Sequence, residues 1–255
     1  MNSIVRILIS DILKNKIAIA YTLVLAVLCW SSFAMEDSSS KGLLTVLNVI
    51  LFTVPLVSVL FTAIYIYNST EFIEMLLSQP LRRRTIWLSL FAALSSSLVI
   101  AFLLGAGIAI LVNAPDSVGW MLLATGTLIT LVFTSLAFLV AISTRDKAKG
   151  IGISIMTWLF FALLFDGLVL FLLFQLSEYP IENAMVAVTA FSPIDLARIQ
   201  ILLQMEVSAM MGYTGAIFRN YFGTTTGLFV SFALLIVWAI VPLLISLRKF
   251  SRNDL

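Results

Sequence analysis

Six long apolar runs, separated by short polar stretches, set the pattern of this sequence. They cover approximately residues 17–35, 43–67, 86–112, 118–142, 151–175 and 226–247. A helix needs about 20 residues to cross the hydrocarbon core of a bilayer, and each run is long enough. The pattern therefore predicts an all-α polytopic membrane protein, in which residues 1–255 form one transmembrane domain with six transmembrane helices.

The composition agrees with this prediction and narrows the possible chemistry. Hydrophobic residues make up 61% of the 255 and charged residues only 11%, whereas soluble domains carry about 25% charged residues. The sequence has no histidine and one cysteine, Cys29. Histidine-based catalysis and an intrachain disulfide are therefore excluded. We expect a non-catalytic chain without catalytic residues, metal ligands or a cofactor of its own, and no nucleic-acid partner.

The stretch before the first run has an amphipathic pattern. On a helix, Ile4, Val5, Leu8 and Ile12 share one face, which predicts an interfacial helix on the inner membrane surface. A plain extension of the first span is the alternative. The first span could also be a signal peptide, but its length and the acidic residues behind it favour a retained span.

The basic residues predict the orientation of the spans. If both termini lie in the cytoplasm, 12 of the 15 basic residues face inward, and three face outward, namely Lys41, Arg198 and Arg219. Cytoplasmic loops of membrane proteins carry an excess of Lys and Arg. We therefore expect both termini on the cytoplasmic side.

The stretch TEFIEMLLSQPLRRR, residues 70–84, faces the cytoplasm in this orientation. On a helix its apolar face consists of Phe72, Ile73, Leu76 and Leu77, and its polar face consists of Glu71, Glu74 and Ser78. Pro80 ends the helix, and Arg82, Arg83 and Arg84 follow. The apolar face needs a cover, which is either a partner protein or a lipid surface to which the arginines anchor the segment.

The last outward segment, residues 177–225, is too apolar to be a simple loop. Pro193 near a helix start and Asp195 in the first turn predict a short helix over PIDLARIQILLQ. The side chains that we expect to meet an outer partner or the outer interface are Asp195, Leu196, Met210, Met211, Tyr213, Phe218 and Tyr221. Thioethers suit Cu(I), so Met205, Met210 and Met211 could contact a soft metal, although methionine more often serves as an adaptable apolar side chain.

Asp166 is the one ionisable residue deep within a predicted span. A charge at that depth costs about 2.5–3.5 kcal/mol or more, so Asp166 should face protein or water rather than lipid. It either contributes to a conformational or translocation path or makes an interhelical hydrogen bond. Gly105, Gly107, Gly150 and Gly152 predict close helix packing.

The inward amphipathic stretch resembles the ABC-2 type exporter permeases. In that family the loop carries an acidic residue, a Leu-Leu pair, a proline and basic residues, and the same order occurs here at Glu74, Leu76, Leu77, Pro80 and Arg82 to Arg84. The family often has a glycine before the acidic residue, where this chain has YNSTEFIEM, which affects only the expected start of the helix. The N-terminal interfacial helix and the six spans are also similar.

The resemblance implies a dimeric membrane domain, which we expect to be a homodimer, driven by separate ATPase subunits that bind ATP and Mg²⁺. These subunits dock on a coupling helix between spans two and three. The residues expected to form this dock are Glu71, Phe72, Ile73, Glu74, Leu76, Leu77 and Pro80. Arg82, Arg83 and Arg84 are expected to anchor the segment to membrane lipids.

A narrower resemblance lies in SPIDLARIQILLQMEVSAMMGYTGAIFRNYFG and WLFFALLFD. Both stretches look like the permease subunits of transporters that support assembly of the copper sites of nitrous oxide reductase. This resemblance implies a bacterial cytoplasmic (inner) membrane and a periplasmic β-helical partner at the outer segment. The alternatives are another ABC-2 exporter permease for a drug, lipid or polysaccharide, a membrane enzyme, and a non-transporting immunity or structural protein.

Overall fold

The computed structural model describes residues 2–36, 38–79, 82–175, 188–205 and 225–252. Every regular element among these residues is helical. In chain order the helices are α1 (Asn2–Lys14), α2 (Lys16–Met35), α3 (Ser39–Asn68), α4 (Thr70–Leu77), α5 (Arg83–Phe102), α6 (Ile108–Asn113), α7 (Ser117–Ser143), α8 (Lys147–Leu159), α9 (Phe165–Gln175), α10 (Pro193–Gln204) and α11 (Thr225–Arg252). Two π-helical turns, π1 (Leu103–Gly107) and π2 (Phe160–Leu164), join α5 to α6 and α8 to α9.

Six helical segments of the described residues are long and apolar enough to cross a membrane. They are Lys16–Met35, Ser39–Asn68, Arg83–Asn113, Ser117–Ser143, Lys147–Leu172 and Gly227–Arg252. These segments coincide with the six apolar runs to within a few residues at each end. The predicted all-α polytopic membrane fold is therefore confirmed.

Helix α1 is separate from the first span. Asn15 starts α2 as its N-cap, since its side-chain oxygen accepts a hydrogen bond from the backbone N–H of Ile17 at 2.9 Å. Leu8 and Ile12 of α1 are buried against a bundle that α1 meets mainly through α5. The amphipathic face of α1 thus packs, at least in part, on the chain's own helices.

Helices α3 and α7 form the centre of the bundle. They pack against each other, and α11 packs on α7. Aromatic side chains pack where α5, α7 and α11 meet. Trp87 of α5 stacks on Phe250 of α11 with ring centroids 4.3 Å apart, and it meets Phe138 of α7 edge-on at 4.9 Å. The Trp87 indole N–H also donates to the Ser246 hydroxyl of α11 at 3.0 Å. This cluster fixes the ends of three spans against one another.

Large apolar side chains cover the outside of the bundle. Val27 of α2, Phe171 of α9 and Phe229 of α11 are exposed at 68%, 65% and 77%. Contact between this surface and water would be unfavourable, because exposing apolar area to water costs about 25 cal/mol per Å². These faces therefore suit lipid or another membrane-embedded protein.

Helix α10 packs into the bundle. It begins with Ser192, whose hydroxyl accepts a hydrogen bond from the Asp195 backbone N–H at 3.2 Å, and with Pro193 in the first turn. The start of this helix is thus where the Pro193 and Asp195 signals indicated. Its side chains from Pro193 to Leu196 are all buried, and it packs on α7, α11, α3 and π2. At 12 residues it is too short to cross the membrane.

Candidate functional site

Helix α4 follows α3 after a single residue, Ser69. The Ser69 backbone N–H still bonds to Tyr65 and Ile66, so the chain bends there without leaving helical pairing. Glu71 lies in the first turn of α4, where a negative charge is favourable next to the helix N terminus. The helix ends at Ser78, whose hydroxyl donates to the Met75 carbonyl at 2.7 Å.

Contrary to the sequence prediction, the apolar residues of α4 do not all lie on one exposed face. Ile73 and Leu76 are buried, at 4% and 7% exposure, and they face the chain's own helices, of which α3 and α5 are the neighbours. That these two side chains meet an ATPase stays a prediction, and their burial within this chain does not favour it. Because both are already covered, burying them supplies the packing that holds α4 onto the bundle.

The exposed surface of α4 is mixed acidic and apolar. Met75 is 53% exposed and Phe72 is 36% exposed, and Glu71 and Glu74 beside them are exposed as well. We call these four residues the α4 surface. Leu77 is half-buried, and Pro80 lies outside the described residues. Of the predicted dock, Glu71, Phe72 and Glu74 remain open to a partner, and Met75 joins them although it was not predicted.

A cavity of about 230 Å³ lies behind α4. The ends of four spans and α4 line it together, through Ile66, Tyr67, Thr70, Ile73, Glu74, Trp87, Ala141, Ile142, Thr144, Arg145 and Phe250. The ends of α3, α7 and α11 and the start of α5 therefore meet on the side of the bundle that carries α4. The cavity leaves α4 room to shift against the spans without first breaking a close-packed core.

The chain just before α4 is tied to the turn between α7 and α8. The Tyr67 hydroxyl donates to the Thr144 carbonyl at 2.9 Å, and the Lys147 ammonium donates to the Asn68 side-chain oxygen at 2.7 Å. A displacement of α4 would therefore also pull on the start of the fifth span.

Arg82, Arg83 and Arg84 are all exposed and stand at the start of α5. Positive charge is unfavourable at a helix N terminus, because the helix dipole is positive there. Anionic lipid headgroups beside this helix start would offset the unfavourable positive charge. The position of the three arginines is therefore compatible with the lipid anchor, which stays a prediction.

A second polar constellation lies where α9 meets α10. The Arg198 guanidinium contacts the Asp166 carboxylate at 2.8 Å and the Asp195 carboxylate at 3.4 Å. The Asp166 side chain is 36% exposed and that of Arg198 is 31% exposed. Asp166 therefore has an ionic partner from another helix of its own chain. Sequence reasoning used Arg198 only as an outward topology marker and missed both contacts. The spacing of three residues from Asp195 was a signal for the second contact only.

The environment of Asp195 favours its protonated form. Burial raises the pKa of Asp195 to about 7, and the neighbouring Asp166 carboxyl adds to the rise, while Ser192 and Arg198 act in the opposite direction. Asp195 and Leu196 were expected to touch an outer partner. Both are buried within the chain, at 8% and 1% exposure, so neither is available at a surface.

The remaining predicted outer contacts, Met210, Met211, Tyr213, Phe218 and Tyr221, lie outside the described residues. Met205, at the end of α10, is buried at 5% exposure. Among the described residues no group of three or more His, Cys, Asp or Glu side chains is placed to hold a metal ion.

Comparison with known proteins defines the class to which these features belong. The family model described as "ABC-2 family transporter protein" matches residues 50–255, which include the later part of the second span, α4 and the four spans that follow. The chain belongs to this family of ABC transporter permeases. A relative from Stutzerimonas stutzeri, described as a probable ABC transporter permease protein NosY, is 30% identical over 192 residues, which is 67% of this chain and 69% of the relative.

The family membership has a direct consequence for partners. The chain is a multi-pass transmembrane permease subunit, and an ABC permease works with an ABC ATPase. The α4 surface and the Asp166–Arg198–Asp195 cluster are two charged sites among the described residues of this permease, the first directly after α3 and the second between α9 and α10.

Proposed function

We propose that this permease transmits ATP-driven motion from an ABC ATPase docked on the α4 surface to the opposite side of the membrane. The carrying observation is that α4 buries Ile73 and Leu76 in its own bundle while it leaves Phe72 and Met75 exposed between two glutamates. Apolar side chains with a polar rim are the usual anatomy of a protein interface. Both termini and α4 then lie in the cytoplasm, as the distribution of basic residues indicates.

The contacts of α4 suggest how the motion passes on. A rigid shift of α4 changes the cavity behind it and, through Tyr67 and Asn68, the turn that begins the fifth span. Two such chains form the homodimer in this proposal, and ATP with Mg²⁺ stays on the ATPases. The mechanism is a rigid-body shift of the membrane halves, biased by closure of the ATPases.

The biological setting that we propose is copper-site maturation of nitrous oxide reductase in a bacterial inner membrane. The similarity to a NosY permease and the likeness of the segment after the fifth span support this setting. The outer partner in this proposal is a periplasmic β-helical protein that contacts residues beyond Met205. Export of a drug, lipid or polysaccharide by the same permease is the alternative.

Phe72→Glu and Met75→Glu test the docking proposal. Each places a carboxylate in the centre of the α4 surface, so we expect at least a tenfold loss of co-purifying ATPase, because one buried unpaired charge costs more than about 1.4 kcal/mol. Met35→Glu is the matched control, since Met35 is 84% exposed at the far end of α2. If α4 met only lipid, both α4 variants would retain wild-type amounts of ATPase.

The copper setting has its own test. Deletion of the gene for this chain should leave nitrous oxide reductase exported but without its copper absorption bands, and the wild-type gene should restore them. An enzyme with full copper content in the deletion strain would contradict the setting and would leave the permease assignment unaffected.

A further inference from the structure

Helix α10 is held in the bundle by one charged cluster as well as by apolar packing. Its Asp195 and Arg198 meet Asp166, which is the second residue after the π2 turn of the fifth span. A π-helical turn holds one residue more than an α-turn, so it rotates the residues that follow by about 100° relative to a regular helix. The π2 turn thus contributes to aiming Asp166 at α10, against which π2 itself packs.

The cluster has an excess of negative charge. Two carboxylates face one guanidinium, and among the described residues the ion pairs of the two carboxylates are with Arg198. Among the described residues, α7 and π2 carry no charged side chain. The charged residues of α3 and α11 are Lys41, exposed in the first turn of α3, and Arg248, Lys249 and Arg252. The last three lie beside Phe250, which lines the cavity behind α4 on the other side of the bundle.

One acceptor and one donor in the cluster are left without a partner. The Asp195 Oδ2 atom is buried and receives no hydrogen bond from the described residues, and the Arg198 Nε–H donates none. Asp195 as a whole is only 8% exposed. The carboxylates of Asp166 and Asp195 contact the same Arg198 nitrogen, Nη1, at 2.8 Å and 3.4 Å, which brings the two groups together. A buried carboxylate oxygen beside a second carboxylate is the arrangement that one shared proton satisfies.

We propose that Asp166, Asp195 and Arg198 form a proton-binding latch that holds α10 against the fifth span. With the proton bound, the Asp195 carboxyl group donates to the Asp166 carboxylate, which is also paired with Arg198, and the cluster is neutral. When the proton leaves, two carboxylates share one guanidinium in a partly buried site, and α10 is released more easily. The proton concentration on the side of the membrane where α10 lies then sets how readily this end of the bundle opens.

The sign and size of the effect follow from linkage. The pKa of Asp195 is raised to about 7 while α10 is latched, against its ordinary value of 3.8. The proton's contribution to holding α10 is therefore fully present below pH 3.8, falls as the pH rises, and is lost above about 7. Between about pH 5.5 and about pH 8.5, the opening equilibrium of α10 should increase roughly 30-fold.

Amide hydrogen exchange of α10 in the permease alone, reconstituted in lipid nanodiscs, tests the latch. After correction for the pH dependence of chemical exchange, exchange of α10 amides should be roughly 30-fold faster at about pH 8.5 than at about pH 5.5. Amides of α7 in the same samples report whether the fold is intact. No ATPase or cargo is present, so the outcome is independent of the docking proposal.

Two variants separate the latch from ordinary packing. Asp195→Asn mimics the protonated carboxyl group, so α10 should stay protected and should lose the pH dependence. Asp116→Asn removes the same charge from an exposed position at the start of α7 and should keep the wild-type pH dependence. Wild-type α10 exchange that does not change with pH, or Asp195→Asn exchange that changes as much as wild type, would overturn the proposal.

Discussion

At the scale of single residues, two glycines on α8 show that close packing depends on what lies opposite. A Cβ atom added to Gly150 would collide with the ring and hydroxyl of Tyr67, whereas one added to Gly152 would meet no atom within 4 Å. Gly150 is buried and Gly152 is exposed. The sequence predicted close packing for both, and only Gly150 has it, because two residues along a helix differ by about 200° in direction.

The matched pair Gly150→Ala and Gly152→Ala tests this difference. Gly150→Ala must displace Tyr67 and thereby its hydrogen bond to Thr144, which we expect to cost about 1–3 kcal/mol. Gly152→Ala removes backbone freedom from the unfolded chain without a clash and should be neutral or stabilising by up to about 1 kcal/mol. Thermal unfolding in detergent measures both. Equal midpoints for the two variants would contradict the packing described around Tyr67.

At the scale of elements, the apolar pattern predicted the positions of the long helices but not how the short helices pack. A span must bury a continuous apolar run, so its length and its place follow from composition. Helix α4 has apolar residues around more than half of its circumference, and its sequence does not say which of them the bundle covers. The structure assigns Ile73 and Leu76 to the bundle and leaves Phe72 and Met75 exposed.

For helix α10, the sequence predicted where the helix starts but not where it packs. The two signals named from the sequence, Pro193 and Asp195, located its start correctly. Its placement within the bundle depends on tertiary contacts with four distant elements, and no local pattern encodes these. The pairing of Asp166 with Arg198 joins residues 32 apart in sequence, and it was missed for the same reason.

At the scale of the whole molecule, the two sites lie at opposite ends of the same structural path. The α4 surface connects through the Tyr67 and Asn68 contacts to the turn before α8. The fifth span then runs from α8 through π2 to Asp166 and its partner helix α10. In the proposed function this span carries motion from the ATPase side to the side that α10 closes. Among the candidate spans it is the least buried, with 11% of its most apolar window inside the bundle, so few contacts of this chain oppose its movement.

The most direct test of the central claim is cross-linking from two neighbouring positions on α4. The only cysteine, Cys29, is buried and can be replaced by alanine. In that background, Met75→Cys and Leu76→Cys place a thiol at two adjacent positions. The native Met75 side chain is 53% exposed, whereas that of Leu76 is buried, at 7% exposure. With a short bifunctional thiol–amine reagent, we expect Met75→Cys to form a cross-link to the ABC ATPase and Leu76→Cys to form none. A cross-link from Leu76→Cys alone, or none from Met75→Cys in a complex that still contains the ATPase, would contradict the docking of the ATPase on the exposed face of α4.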